Sequence, residues 1–145
     1  MPFVTAADGT QIADGRQPRG HAARSQYYRH LAEPFYGANR PGSSVTQGTK
    51  DAFWLMSMTV GVKGAYDCVR AFSESDTTED LRKIDVPVLV LHGDDDQLVP
   101  IQAAGLKSVE LLPQGTLKVC PGAPHGLTGK HEQEFDDDLM AFLTS

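Results

Sequence analysis

The chain has 145 residues, 40% hydrophobic and 22% charged, an ordinary make-up for a water-soluble protein with one small core. Its formal charge of −6, with no cluster of basic residues, excludes nucleic acid and anionic membranes as partners and favours small or neutral ligands. Met1-Pro2-Phe3-Val4 lacks the charged start and apolar core of a signal peptide, no apolar run approaches the ~20 residues of a membrane span, and Cys68 and Cys120 have neither metal nor redox spacing, so a cytoplasmic protein with free thiols is expected.

Arg24 to Leu31 has helical character, ending before Pro34. Lys50 to Phe72 is apolar almost all round, with Phe53, Trp54, Met56, Val60, Val69 and Phe72 spread over its faces. Such a helix is expected to be buried, and Gly61 with Gly64 is expected to kink or split it. Asp76 with Glu79 three positions later resembles a capping pair opening a short helix.

Asp85 to His92 is a short continuous apolar run with Pro87 near its start, the pattern of a parallel strand covered on both faces. The acidic loop Gly93-Asp94-Asp95-Asp96-Gln97-Leu98-Val99 follows. Pro100 suits a first helical position, and Leu106, Val109 and Leu112 recur at helical spacing up to the turn Pro113-Gln114-Gly115. Thr116 to Cys120 reads as a second strand, followed by the loop Pro121-Gly122-Ala123-Pro124-His125-Gly126. Phe135, Leu139, Phe142 and Leu143 share one face of a closing helix, whose Asp136, Asp137 and Asp138 form a solvated flank.

Strand, helix and strand make a βαβ unit with a right-handed crossover, so the ends of both strands point the same way. Asp96 and His125 are therefore expected on one sheet edge, where open α/β sheets place ligands and chemistry. A carboxylate bonded to one imidazole nitrogen fixes the tautomer, while the other nitrogen takes a proton from a nucleophile or water. Asp96 is the carboxylate nearest the turn into the helix, whereas Asp94 and Asp95 read equally well as solvated loop residues. For His125 the competing reading is a loop histidine bonded to backbone.

No G-x-S-x-G turn occurs anywhere in the sequence. Gly42-Ser43-Ser44-Val45-Thr46 lacks the last glycine and follows a proline turn, so Ser44 is not expected on a strained strand-to-helix elbow. An acid and a base are present without a nucleophile to activate.

From about Arg24 onward the chain resembles the cofactor-free haloperoxidase and arylesterase branch of the α/β-hydrolase family. The resemblance is carried, in order, by Ala32 to Gly42, Lys63 to Cys68, Lys83 to Pro87, His92 to Asp96 and Gly122 to Gly126. Phe3 to Ile12 resembles the family's first hairpin. The resemblance implies that Asp96 is the triad acid and His125 the triad histidine. It also implies that the segment from Ala13 to Ala23 replaces the oxyanion loop, several central strands and the serine elbow.

The implied fold class is α/β, a partial α/β-hydrolase fold with a C-terminal βαβα unit and a helical cap segment. Residues 1–23 form a hairpin remnant and junction, 24–84 a cap-like segment, and 85–145 the unit carrying both loops. Phe35, Trp54, Leu98 and Val99 are the candidates to line an acyl pocket under that cap, with ordinary core packing as the competing reading for Trp54.

Three functional readings remain open. One is a serine esterase and perhydrolase relative that passes an acyl group from an ester or carboxylic acid to water or hydrogen peroxide without cofactor or metal. A second is a catalytically inactive remnant or interaction module. A third is a metal site from His92, Asp94, Asp96 and His125, whose spacing is not diagnostic. Two parallel strands leave open edges, which makes a homo-oligomer a further expectation.

Overall fold

The computed structural model describes residues 3–5, 11–13, 21–127 and 130–144. Strands β1 (Phe3–Thr5) and β2 (Gln11–Ala13) pair antiparallel, with Phe3 opposite Ala13, as the expected hairpin requires. The junction at 14–20 lies outside the described residues.

Helix α1 (His21–Phe35) runs through Pro34 instead of ending before it. Pro34 sits one residue from the helix end, where losing its N–H forfeits a single ladder bond. The helix then closes tightly. The Ala38 amide donates to the Glu33 carbonyl at 2.8 Å and the Gly37 amide to the Pro34 carbonyl at 3.4 Å, the two bonds of a Schellman turn.

The long apolar segment is two helices, α2 (Gln47–Thr59) and α3 (Val62–Glu74), split at Val60-Gly61. Thr46 caps α2, its hydroxyl accepting the Thr49 amide at 3.1 Å. The expected burial of this segment is not observed: neither helix has a buried residue, and Leu55, Met56, Val62, Tyr66 and Phe72 are each more than half exposed. An apolar surround gives a buried helix only where other elements cover every face, and among the described elements α2 packs substantially against α1 alone.

The α1–α2 pair is antiparallel and held by polar side chains. Lys50 pairs with Glu33 at 2.9 Å, and Arg29 lies 4.3 Å over the Trp54 ring. The Trp54 indole donates to the Ser25 hydroxyl at 3.0 Å. Buried Arg24 donates to the Met58 and Val60 carbonyls at 3.0 and 3.2 Å, placing a cation at the negative end of α2. Helix α4 (Thr78–Leu81) follows, and the Thr78 side chain together with its amide, which donates to the Asp76 carboxylate at 2.9 Å, holds that carboxyl below its usual range.

Strands β3 (Val88–Gly93) and β4 (Gly115–Cys120) are parallel and in register from Val88 opposite Gly115 to Gly93 opposite Cys120. Between them lies α5 (Gly105–Leu111), and α6 (Lys130–Leu143) follows β4. Pro100 does not open α5. Residues 101–104 form turns, in which the Ala103 amide reaches the Pro100 carbonyl at 2.8 Å, and the helix begins at Gly105.

β3 is half-buried up to Gly93 instead of covered on both faces. The described elements against it, α5 and α6, leave part of the strand exposed. Of the buried apolar residues, Tyr28 and Ala32 lie on α1, Leu112 just before the start of β4, and Ile101, Cys120 and Ala123 in or beside the segments around the acid and histidine loops. The last three back those loops.

Candidate active site

The parallel pairing ends at Gly93 and Cys120, so both loops leave the sheet at one edge. They are then sewn together by backbone. The Asp94 amide donates to the Cys120 carbonyl at 3.3 Å and the Asp95 amide to the Ala123 carbonyl at 3.2 Å, while the Asp94 carboxylate accepts the Gly122 amide at 2.5 Å. Gly93 permits this approach: a Cβ there would stand 2.1 Å from the Ala123 carbonyl oxygen.

Asp96 is buried and uses both oxygens. Oδ1 accepts the backbone amides of Leu98 and Val99, each at 2.9 Å. Oδ2 accepts Nδ1–H of His125 at 2.8 Å. The two amides fix the carboxylate, and the carboxylate fixes the imidazole tautomer. Nε2 of His125, across the ring, is left to exchange a proton; the side chain is about one-third exposed, at 35%.

The histidine loop is also braced from α1. The Gly126 amide donates to the Phe35 carbonyl at 2.7 Å, and a Cβ on Gly126 would lie 2.6 Å from the Phe35 ring and 2.7 Å from the Tyr36 ring. Phe35 meets the His125 ring edge-on at 4.9 Å between centroids, and Phe53 stacks behind it at 4.8 Å. Phe35 is therefore brought to the acid–histidine pair. Trp54 is placed elsewhere, against Ser25 and Arg29. Leu98 and Val99 lie beside Asp96, and it is their amides that hold it.

Three features escaped the sequence reading. His92, weighed there as a metal ligand, donates Nε2–H to the Val99 carbonyl at 2.9 Å, with Nε2 also 3.4 Å from Oδ2 of Asp96, so it braces the acid loop from below. Arg40 grips Asp95 with two bonds of 2.6 and 2.7 Å, which holds its guanidinium proton more firmly than usual. Asn39 and Gln97 exchange amide hydrogen bonds at 2.9 and 3.0 Å. The α1–α2 loop is thereby tied to the acid loop. Its only sequence signal was the tight turn at Pro41-Gly42, which does not name a partner.

Among the described residues no group of three or more His, Cys, Asp and Glu side chains converges as a metal site. Ser44 is exposed in an irregular segment leading into α2, without the strand that a nucleophile elbow requires.

Comparison with known proteins places this geometry in context. No family model matches the sequence. The chain is 51% identical over 122 residues to a non-heme chloroperoxidase of Kitasatospora aureofaciens, covering 83% of this chain and 44% of the relative. It is 44% identical over 136 residues to a bifunctional esterase/perhydrolase of Acinetobacter calcoaceticus, covering 93% of this chain and 49% of the relative. Among solved structures, bromoperoxidase from Bacillus anthracis superposes with a TM-score of 0.79 at 31% identity, over 84% of this chain and 44% of that one. The chain thus spans a little under half the length of the relatives it matches. In sequence and fold together, it belongs to the α/β-hydrolase family, as a part-length relative of the non-heme haloperoxidases.

Proposed function

We propose that this chain carries the acid–base half of an acyl-transfer site acting on small esters or carboxylic acids, with water or hydrogen peroxide as acceptor. The observation that supports this reading best is the 2.8 Å bond from Nδ1 of His125 to Asp96, itself held by two amides, which leaves Nε2 as a general base. Relatives named esterase/perhydrolase and non-heme haloperoxidase support the substrate class. Asp96 orients, His125 moves the proton, and Phe35, Leu98 and Val99 border the substrate. A role for residues 24–84 as the cap belongs to the same reading, as does a cytoplasmic setting with Cys68 exposed and Cys120 buried as free thiols.

Among the described residues no serine stands where His125 could activate it, so turnover by this chain alone is impaired and proceeds through His125-activated water. Each oxyanion donor absent from a site costs about 3 to 4 kcal/mol of barrier, so the rate is far below that of a complete triad. Hydrolysis of an activated aryl acetate by the purified chain is expected to exceed buffer and to fall to buffer level in His125→Ala. Equal rates for the two proteins would refute the general-base role.

The exposed apolar residues of α2 and α3 favour a second reading, a self-associating module with no chemistry of its own. Leu55 and Met56 are each 60% exposed and Phe72 62%, and the outer edges of β3 and β4 have no described strand beside them. Light scattering is expected to report a dimer or larger species at micromolar concentration; a monodisperse monomer would remove this reading.

A further inference from the structure

Helix α3 carries an apolar stripe that no described element covers. Val62, Ala65, Tyr66, Val69 and Phe72 recur at spacings of three and four, which puts them on one face. Val62, Tyr66 and Phe72 are each more than half exposed, and α3 has no substantial packing partner among the described elements. Beside the Tyr66 margin of the stripe runs one row of charge, Lys63, Asp67, Arg70 and Glu74, alternating in sign along the helix. Within the chain the row closes into two pairs, Lys63 with Asp67 and Arg70 with Glu74. The other margin holds small, uncharged residues, Gly61, Gly64 and Cys68.

The order of the charges selects the occupant. Reversing the helix about the midpoint between Cys68 and Val69 carries position 63 onto 74 and position 67 onto 70, so every charge meets its opposite. A second α3 laid antiparallel on the first therefore sets Lys63 against Glu74 and Asp67 against Arg70, each contact occurring twice. The same reversal carries position 65 onto 72, placing the Phe72 ring over the small Ala65, with Val69 beside the axis. A parallel copy would instead set the charged row against the uncharged margin and leave it unmatched. With two cations and two anions, this helix is neutral in a chain of net charge −6, so the face escapes the repulsion between copies that the rest of the surface imposes.

We propose that two copies of this chain associate through α3, antiparallel about a two-fold axis passing between Cys68 and Val69. This rests on the self-association reading and gives it a face, an orientation and a register. Five apolar side chains from each copy make a small interface, so the dissociation constant is expected at about 10 μM.

The test combines light scattering of the whole chain at about 100 μM, ten times that constant, with cross-linking by a short bis-maleimide. Cys68 is exposed and close to the axis, whereas Cys120 is buried, so the expected product is a covalent dimer that is lost in Cys68→Ser. Val69→Glu is expected to weaken association at least about 100-fold, because it sets two like charges at the centre of the interface. No residue of α3 is buried, so the far-UV circular dichroism of this variant should match the parent. Asp67→Arg and Arg70→Asp are each expected to weaken association about tenfold, yet a 1:1 mixture of the two should regain the parent's affinity, since the mixed dimer restores both opposite-charge contacts. A dimer that survives Val69→Glu and is not cross-linked through Cys68 would overturn the α3 surface while leaving self-association standing. No recovery on mixing would overturn the antiparallel register, and a monomer at about 100 μM would overturn both readings.

Discussion

Gly93→Ala is expected to be the most damaging single-methyl change in this protein. The added Cβ would stand 2.1 Å from the Ala123 carbonyl oxygen, 2.7 Å from its carbon and 2.9 Å from the Pro124 oxygen. All three are backbone atoms, so no side-chain rotation relieves the clash. Ala123 is fully buried, and the strand end at Gly93 is locked in register with Cys120, so the loop cannot retreat without breaking the Asp95–Ala123 hydrogen bond. Overpacking of this kind costs about 1–3 kcal/mol and more where backbone must move, a large share of the stability of a small domain. The denaturation midpoint should fall accordingly. Any His125-dependent hydrolysis should fall about 100-fold even in molecules that stay folded, because a 1 Å displacement of a catalytic group is enough for that. Gly61→Ala is the control: nothing lies within 4 Å of its would-be Cβ, and its stability is expected to match the parent.

Asp96→Asn is expected to abolish His125-dependent hydrolysis while leaving the chain folded. The asparagine oxygen can still accept the Leu98 and Val99 amides, but its amide group then faces Nδ1 of His125 as a donor, where the carboxylate had been an acceptor. His125 must switch tautomer to meet it. Nε2 then carries the proton and cannot take another. The analogous change in a complete triad costs about 10⁴-fold in turnover, so here the rate is expected at the His125→Ala background. Replacing a charged acceptor in a buried position should also cost about 1–3 kcal/mol, measured by denaturant unfolding. Hydrolysis equal to the parent would show that Asp96 does not orient the base.

The parts of this architecture legible in the sequence are those encoded locally. A continuous run such as Val88 to Leu91 marks a strand, the turn at Pro113-Gln114-Gly115 marks the crossover's end, and the parallel rule then puts Asp96 and His125 together without any long-range information. The misread parts depend on what surrounds an element. The apolar surround of Lys50 to Phe72 predicts a buried helix, but burial is a property of the cover: α2 has α1 on one side, and α3 has no comparable packing among the described elements. Pro34 inside α1 is an end effect worth one hydrogen bond, below what propensity resolves, whereas α5 starts five positions after Pro100 because residues 101–104 close as turns first. The ties from Arg40 to Asp95 and from Asn39 to Gln97 join residues 55 and 58 positions apart, and nothing in either segment alone specifies its mate.

That difference in separation has a kinetic meaning. Asp96 and His125 are 29 residues apart inside one βαβ unit, so closing the loop between them costs less chain entropy than docking the α1–α2 loop onto it. The acid–histidine pair is expected to belong to the unit that forms early and opens late, and α2 with α3 to the part that opens first. Amide exchange in β3 and β4 should therefore outlast that of the helical arm by the free energy of undocking. On that order the acid–histidine pair is expected to be set in place by the strands beneath it, before the aromatic wall of Phe35 and Phe53 arrives.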